Sequence, residues 1–145
     1  MRILKWKRNE YRKSYYYNIG RICFEGNFKD GIRNGKGIDY YLNRNIEFEG
    51  EYLNGYKYNV KGYDLDCNFA YELKNGCGYV KTYNNFYNRL SYEGEYKESM
   101  KNGKGKEYNS DGKLIFEGDY KNDKKWNGFF FNEQNVYELK EGNDL

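Results

Sequence analysis

A five-residue phrase, aromatic–Glu–Gly–x–aromatic, recurs along the chain and limits the folds that the chain can adopt. It begins at Phe24, Phe48, Tyr92 and Phe116, and a weaker copy without the middle glycine begins at Phe69. Successive copies start 24, 21, 23 and 24 residues apart. A period near 23 residues is shorter than the common helical repeats and predicts one β-hairpin per unit.

A second glycine motif follows the phrase. RNGKG at 33–37 and KNGKG at 101–105 each place their last glycine 13 residues after the start of a phrase, and KNGCG at 74–78 and WNG at 126–128 are displaced relatives. Asn-Gly at 54–55 and Asp-Gly at 30–31 and 111–112 are typical of hairpin turns. The sequence predicts strands near residues 23–28, 36–41, 47–52, 68–73, 77–83, 91–96, 104–109, 114–120 and 128–132.

Alternation along a strand explains the composition of the phrase. Phe24, Gly26 and Phe28 share one face, and Glu25 takes the other. We expect an aromatic ring from a neighbouring strand to lie across each glycine, including both glycines of the Gly-x-Gly motif. The fold class predicted is all-β, an elongated single-layer array of stacked antiparallel β-hairpins in one curved sheet. The periodic glutamates are predicted to be structural: Glu25, Glu49, Glu93 and Glu117.

The composition argues against both a disordered chain and an enzyme. Hydrophobic residues make up 38% of the chain, and 19 Tyr, 9 Phe and 2 Trp supply most of them, whereas disordered chains are poor in aromatics. The chain has no histidine, and its three cysteines (Cys23, Cys67 and Cys77) form no Cys-x-x-Cys motif. We therefore expect no catalytic residues, no metal site and no cofactor.

Positive charge is concentrated at the N-terminus. Residues 1–13 contain one acidic residue, Glu10, and six basic residues, Arg2, Lys5, Lys7, Arg8, Arg12 and Lys13. These six form a candidate patch for anionic lipid. The alternative, which we favour, is a solvated terminal strand whose charges prevent edge-to-edge association. The charged start has no apolar stretch of the kind found in signal peptides, so a cytoplasmic location is expected.

Two aromatic triplets exceed what stacking between hairpins requires. They are Tyr15, Tyr16 and Tyr17, and Phe129, Phe130 and Phe131. A single-layer sheet has no second layer to cover them, and exposed apolar patches mark interaction sites. We interpret the six rings as candidate partner-binding residues on the aromatic face of the sheet.

The phrase, the Asn-Gly and the Gly-x-Gly together resemble the MORN repeat (membrane occupation and recognition nexus), whose pattern is roughly Tyr-Glu-Gly-Glu-Trp/Tyr followed by Asn-Gly and Gly-x-Gly. The resemblance covers about residues 24–139. It implies a degenerate, basic capping repeat at 1–23, five repeats at 24–139 and a C-terminal tail at 140–145. MORN proteins are similar in acting as protein–protein platforms, often at membranes or the cytoskeleton, and phosphoinositide contact has been proposed for some.

Three function classes follow from these features. The favoured class is a non-catalytic scaffold that binds a protein partner or itself, located in the cytoplasm or at the periphery of a membrane or the cytoskeleton. The first alternative is a peripheral binder of anionic, phosphoinositide-type lipid, and the second is an aromatic-repeat module for carbohydrate or cell wall. Such carbohydrate modules are usually Trp-rich and exported. Densely interleaved acidic residues argue against nucleic acid as a partner.

Overall fold

The computed structural model describes residues 9–144, which form antiparallel β-strands joined by short connections and no helix. The fold class predicted from the sequence, an array of stacked antiparallel hairpins, is confirmed. The strands are β1 (Asn9–Tyr15), β2 (Ile22–Lys29), β3 (Ile32–Tyr40), β4 (Ile46–Leu53), β5 (Tyr56–Tyr63), β6 (Phe69–Leu73), β7 (Gly78–Asn84), β8 (Arg89–Lys97), β9 (Met100–Tyr108), β10 (Leu114–Lys121), β11 (Lys124–Phe131), β12 (Val136–Lys140) and β13 (Asn143–Asp144).

The array is divided into two sheets, which corrects the prediction of one continuous sheet. Strands β1 to β6 pair in chain order in the first sheet, and β7 to β13 do so in the second. An isolated bridge between Lys74 and Cys77 joins them. The division falls at the weak repeat, where Tyr71 replaces the middle glycine and β6 has five residues. Val60, Tyr71, Leu73 and Val80 form one buried cluster, so side chains join the two sheets at this point.

Two-residue turns connect the strands along one edge of the array, which we call the turn edge. Asp30–Gly31 and Asn54–Gly55 have positive φ at both residues, as type I′ hairpin turns require, and this confirms the prediction at these two sites. Glu98 (φ 52°) and Ser99 (φ 64°) form the same kind of turn without glycine or asparagine. The third predicted turn, Asp111–Gly112, lies instead in a longer connection at the opposite edge, the loop edge.

A ladder of hydrogen bonds links the turns that follow Asp30–Gly31 to earlier parts of the array. The Gly55 N–H donates to the Arg33 carbonyl at 2.8 Å. Equivalent bonds of 2.7 to 2.9 Å run from Gly76 to Tyr58, from Ser99 to Gly76, from Asp123 to Lys101 and from Gly142 to Trp126. Asparagine side chains from strands of the preceding hairpin add a second contact to these turns. The backbone N–H groups of Asn54, Asn75 and Glu141 donate to Oδ1 of Asn34, Asn59 and Asn127, respectively. Asn34 and Asn127 of the second motif therefore bind the next turn, and Asn59 of β5 does the same.

Aromatic side chains lie against three of the four phrase glycines, Gly26, Gly94 and Gly118, on the face of each sheet that we call the inner face, whereas Gly50 closely approaches the backbone of Asn59 and Val60. Gly26 pairs with Gly37, and a Cβ on Gly37 would lie 2.7 Å from the Phe24 ring and 3.1 Å from the Tyr52 ring. The Phe24 ring also lies over Gly26, so one covering ring comes from the same strand as its glycine. This confirms the predicted role of these glycines, and the side chain of Phe24 is fully buried.

The first glycine of the Gly-x-Gly motif has a different role from the one predicted. Gly35 (φ 97°) lies beside Asn27, and Gly103 (φ 103°) lies beside Glu95, so the atoms nearest to these glycines belong to polar side chains and not to an aromatic ring. Both stand where the strand register shifts by a β-bulge. Glycine is needed there for its backbone conformation.

The two sheets repeat each other at an offset of 68 residues. Residues 24–60 of the first correspond to residues 92–128 of the second. Thus Phe24 and Tyr92 are equivalent, as are Arg33 and Lys101. The larger unit of repetition is a block of hairpins the size of a sheet.

Candidate interaction surfaces

Basic side chains cover the inner aromatic face. In the four full copies of the phrase, the residue nine positions after the first ring is a cation that lies over that ring. The distances from the cation to the ring centroid are 3.8 Å for Arg33 over Phe24, 3.3 Å for Lys57 over Phe48, 3.9 Å for Lys101 over Tyr92 and 4.8 Å for Lys125 over Phe116. Such cation–π contacts stabilise both groups. The stacking rings are therefore buried, which corrects the expectation that this aromatic face is exposed.

Carboxylates pair with these cations. Arg33 contacts Asp39 at 3.0 Å, and Asp39 also accepts a hydrogen bond from the Tyr52 hydroxyl. In the second sheet, Glu107 is 3.2 Å from Lys101 and 2.7 Å from Lys125. Burial raises the pKa of the Asp39 carboxyl, and it does so against the opposing effects of Tyr52 and Arg33. The acid and base groups of the inner face are thus engaged with one another.

The periodic glutamates bind tyrosines on the outer face. The hydroxyls of Tyr40, Tyr63 and Tyr108 donate to Glu25, Glu49 and Glu93 at 2.6, 2.7 and 2.7 Å. Glu117 instead pairs with Lys106 at 3.2 Å. These contacts support the structural role predicted for the glutamates.

Two equivalent grooves cross the outer face, one in each sheet. Their volumes are about 620 Å³ in the first sheet and about 610 Å³ in the second. Glycine backbone forms part of the floor of both, and each is lined by three lysines and three acidic residues. These are Lys36, Lys61, Lys74, Glu49, Glu51 and Glu72 in the first, and Lys104, Lys106, Lys140, Glu117, Asp119 and Glu138 in the second. Because the charges balance, neither groove selects a partner of one sign.

The two predicted aromatic triplets occupy different sheets. Tyr15 and Tyr17 are exposed at the end of the first sheet, whereas Tyr16 is half-buried and its hydroxyl donates to the Tyr40 carbonyl at 2.6 Å. In β11, Phe130 packs on Phe116 with ring centroids 4.9 Å apart. Phe129 is exposed on the opposite face, where it lines the outer groove, and Phe131 is half-buried. Partner binding by these rings stays a prediction.

Four members of the predicted lipid patch, Arg2, Lys5, Lys7 and Arg8, lie outside the described residues. The other two, Arg12 and Lys13, point to opposite faces of β1. Arg12 lies over the Phe28 ring and contacts Glu10 at 2.6 Å, whereas Lys13 contacts Glu25 at 3.4 Å. Lipid binding by this segment also stays a prediction.

Sequence reasoning named Tyr17 but missed three other exposed apolar side chains at the loop edge, Ile19, Phe86 and Tyr87. Tyr17 and Phe86 have the largest exposed fractions among the large apolar side chains described, 89% and 76%. Tyr87 and Ile19 are exposed beside them in the chain. Phe86 and Tyr87 belong to no copy of the phrase. Aromatic residues outside the repeat pattern are the sequence signal by which this surface could have been predicted.

No group of three His, Cys, Asp or Glu side chains within residues 9–144 is arranged to hold a metal ion. In the same part of the chain, no helix has the length and apolar character needed to cross a bilayer. Cys23, Cys67 and Cys77 are free thiols.

Comparison with known families identifies the repeat. The family model of the MORN repeat matches residues 24–38, which span most of the β2–β3 hairpin, and residues 92–113, which contain β9 and most of β8. No curated protein matches the chain. MORN repeats are known in modules that interact with proteins or membranes, and they are generally non-catalytic. The chain therefore carries MORN repeats at residues 24–38 and 92–113.

Proposed function

We propose that this chain is a non-catalytic scaffold module that binds a protein partner. One observation carries the proposal: the repeated aromatic and charged groups are used within the fold, whereas large apolar side chains outside the phrase remain exposed. Tyr17, Phe86 and Tyr87 are the main examples. Exposed apolar side chains grouped on a surface are typical of interaction sites.

The same geometry supports a role without catalysis. The carboxylates best placed for acid–base chemistry, Asp39 and Glu107, are held by basic side chains. Both belong to a pattern that recurs in the two sheets, and recurrence is typical of a stabilising role. The proposal therefore assigns these groups to the stability of the array.

The test is capture from a lysate of the organism that encodes the chain. The full chain is immobilised, captured proteins are identified by mass spectrometry, and each is then purified and titrated against the chain. We expect a direct complex that persists at high salt, because apolar contacts are not screened by ions. A chain that stays monomeric by light scattering and retains no direct protein partner would contradict the proposal.

Anionic lipid remains the contrasting hypothesis for the N-terminal charges. Each basic residue near an anionic membrane adds only about 1 kcal/mol, and Arg12 and Lys13 already contact carboxylates. We expect little co-sedimentation with vesicles of phosphatidylserine and phosphatidylcholine. Salt-sensitive sedimentation that disappears when Lys5, Lys7, Arg8, Arg12 and Lys13 are replaced by Gln would favour the membrane function instead.

A further inference from the structure

Three loops that are distant in sequence are joined at the loop edge. They are residues 16–21 and 41–45 of the first sheet and residues 85–89, which enter β8 of the second. Arg21 Nη1 donates to the Leu42 carbonyl at 2.7 Å, and the Leu42 N–H donates to Asn85 Oδ1 at 3.1 Å. Asn85 Nδ2 is also 3.5 Å from the Tyr16 hydroxyl. The loops therefore form one continuous surface, the three-loop patch.

The three-loop patch combines apolar side chains with positive charge. Its exposed apolar residues are Tyr17, Ile19, Phe86 and Tyr87. Each loop also contributes one exposed arginine, namely Arg21, Arg44 and Arg89, and the three loops contain no Asp or Glu. The acidic loop at 64–68 lies between the second and third of these loops in strand order, and its Leu65 carbonyl accepts hydrogen bonds from Asn43 and Asn45. The Asp64 carboxylate of that loop is engaged with the backbone amides of Asp66 and Asn68, so it competes little for the arginines of the patch.

We propose that the three-loop patch binds an acidic segment of a partner protein that also carries apolar side chains. The inference rests on the proposed scaffold function and specifies its surface and its partner. Carboxylates of the segment pair with the arginines, whose planar guanidinium groups suit bidentate contacts. Apolar side chains of the segment contact the rings of Tyr17, Phe86 and Tyr87.

The construction of the patch favours a protein segment over a membrane surface. Arg21 donates a hydrogen bond to the Leu42 carbonyl at 2.7 Å, and Arg89 donates one to the Ser110 carbonyl at 3.0 Å. These bonds fix the orientation of the two guanidinium groups. Fixed donors beside rings suit directional contacts and lower the entropy lost on binding. Three cations near an anionic bilayer are too few for stable attachment, because each basic residue adds little to the attraction.

The experiment selects phage-displayed random 12-residue peptides against the full chain and then titrates synthetic copies by fluorescence anisotropy. We expect the selected peptides to be enriched in Asp or Glu together with aromatic or aliphatic residues. Arg44→Glu and Phe86→Ser should each weaken binding by about tenfold or more, as expected for central interface residues. Tyr56→Ser and Lys97→Glu, which change exposed side chains at the turn edge, should leave it unchanged. Circular dichroism melts establish that all four variants fold.

Selected peptides without acidic residues, or affinities that Arg44→Glu and Phe86→Ser do not change, would overturn the proposal. So would sedimentation with phosphatidylserine vesicles that Arg44→Glu abolishes while no acidic peptide is selected. A partner captured from lysate that binds wild type and both variants equally would refute the patch assignment alone and leave the scaffold function intact.

Discussion

The ammonium nitrogen of Lys57 lies 3.3 Å from the centroid of the Phe48 ring, on the inner face of the first sheet. Burial lowers the pKa of Lys57 to about 8, although the negative charges of Glu47 and Asp39 oppose the shift. In the unfolded chain the pKa of a lysine is about 10.4. Between these two values the unfolded chain binds more protons than the folded protein, so the free energy of unfolding should rise with pH through this window.

Replacing Lys57 by Met tests this relationship. From about pH 7.5 to 9.5, the free energy of unfolding of the wild type should increase relative to that of Lys57→Met, as measured by urea denaturation. Lys97→Met, at an exposed position, provides the control and should follow the wild type. The series stops below pH 10 because burial raises the pKa of phenols such as Tyr71, which reverses the trend above that pH. Parallel curves for wild type and Lys57→Met would show that the lysine is not perturbed.

Removing the charge of Asp39 should destabilise the protein. Asp39→Asn leaves Arg33 without the carboxylate that it contacts at 3.0 Å and weakens the bond that Asp39 accepts from Tyr52. We expect a loss of about 1 kcal/mol in the free energy of unfolding, because the lost contacts with Arg33 and Tyr52 are partly offset by removal of the buried charge, whose burial raises the pKa of the Asp39 carboxyl. Asp66→Asn, in an exposed loop, is the control. In a double-mutant cycle with Arg33→Met, additive losses would mean that the two side chains do not interact.

Gly94→Ala should also destabilise the protein, because two strands approach closely at that position. A Cβ on Gly94 would lie 2.4 Å from the Tyr92 hydroxyl oxygen and 2.7 Å from both the Gly105 Cα and the Lys104 carbonyl oxygen. We expect a loss of about 1–3 kcal/mol, typical of overpacking, and a larger loss for Gly94→Val. Lys97→Val, in the same strand but exposed, should melt close to the wild type. Coincident melts for Gly94→Val and wild type would refute the close-approach account.

A fourth change should stabilise the protein. Glu98 has φ 52° at the first position of a two-residue turn, where a side chain other than Asn or Asp is disfavoured. Glu98→Asn should therefore raise the free energy of unfolding by about 0.5–1 kcal/mol. Glu133→Asn, in an exposed loop, removes the same charge and should have no such effect. Equal stability of Glu98→Asn and wild type would indicate that the turn conformation costs little.

Period and turn chemistry were enough to predict the strands that carry the phrase, such as β2, β4, β8 and β10, and the roles of Gly26 and Gly37. Strand β5 was missed because it lacks the second motif: Val60 stands at the position equivalent to Gly128. The single-sheet prediction failed because sequence spacing does not reveal that Tyr71 and Leu73 bury themselves against Val80 from the next sheet.

The candidate sites were harder to predict, since they depend on contacts between distant residues. The cation nine residues after each phrase reaches its ring only because a register shift in the second strand brings Arg33 opposite Phe28, beside Phe24. The Leu42 N–H donates a hydrogen bond to Asn85, which is 43 residues away in the sequence, and no local sequence pattern predicts that contact. The three-loop patch could therefore be recognised only in the folded chain.

The 68-residue offset between the two sheets bears on how such a protein can change length over evolutionary time. A copied block the size of a sheet brings its own rings, its own covering cations and its own asparagines for the turn ladder. Tandem duplication of that block would enlarge the protein without requiring compensating changes in the interior. The loop edge is then the region left to diverge, because its side chains take little part in the repeating contacts.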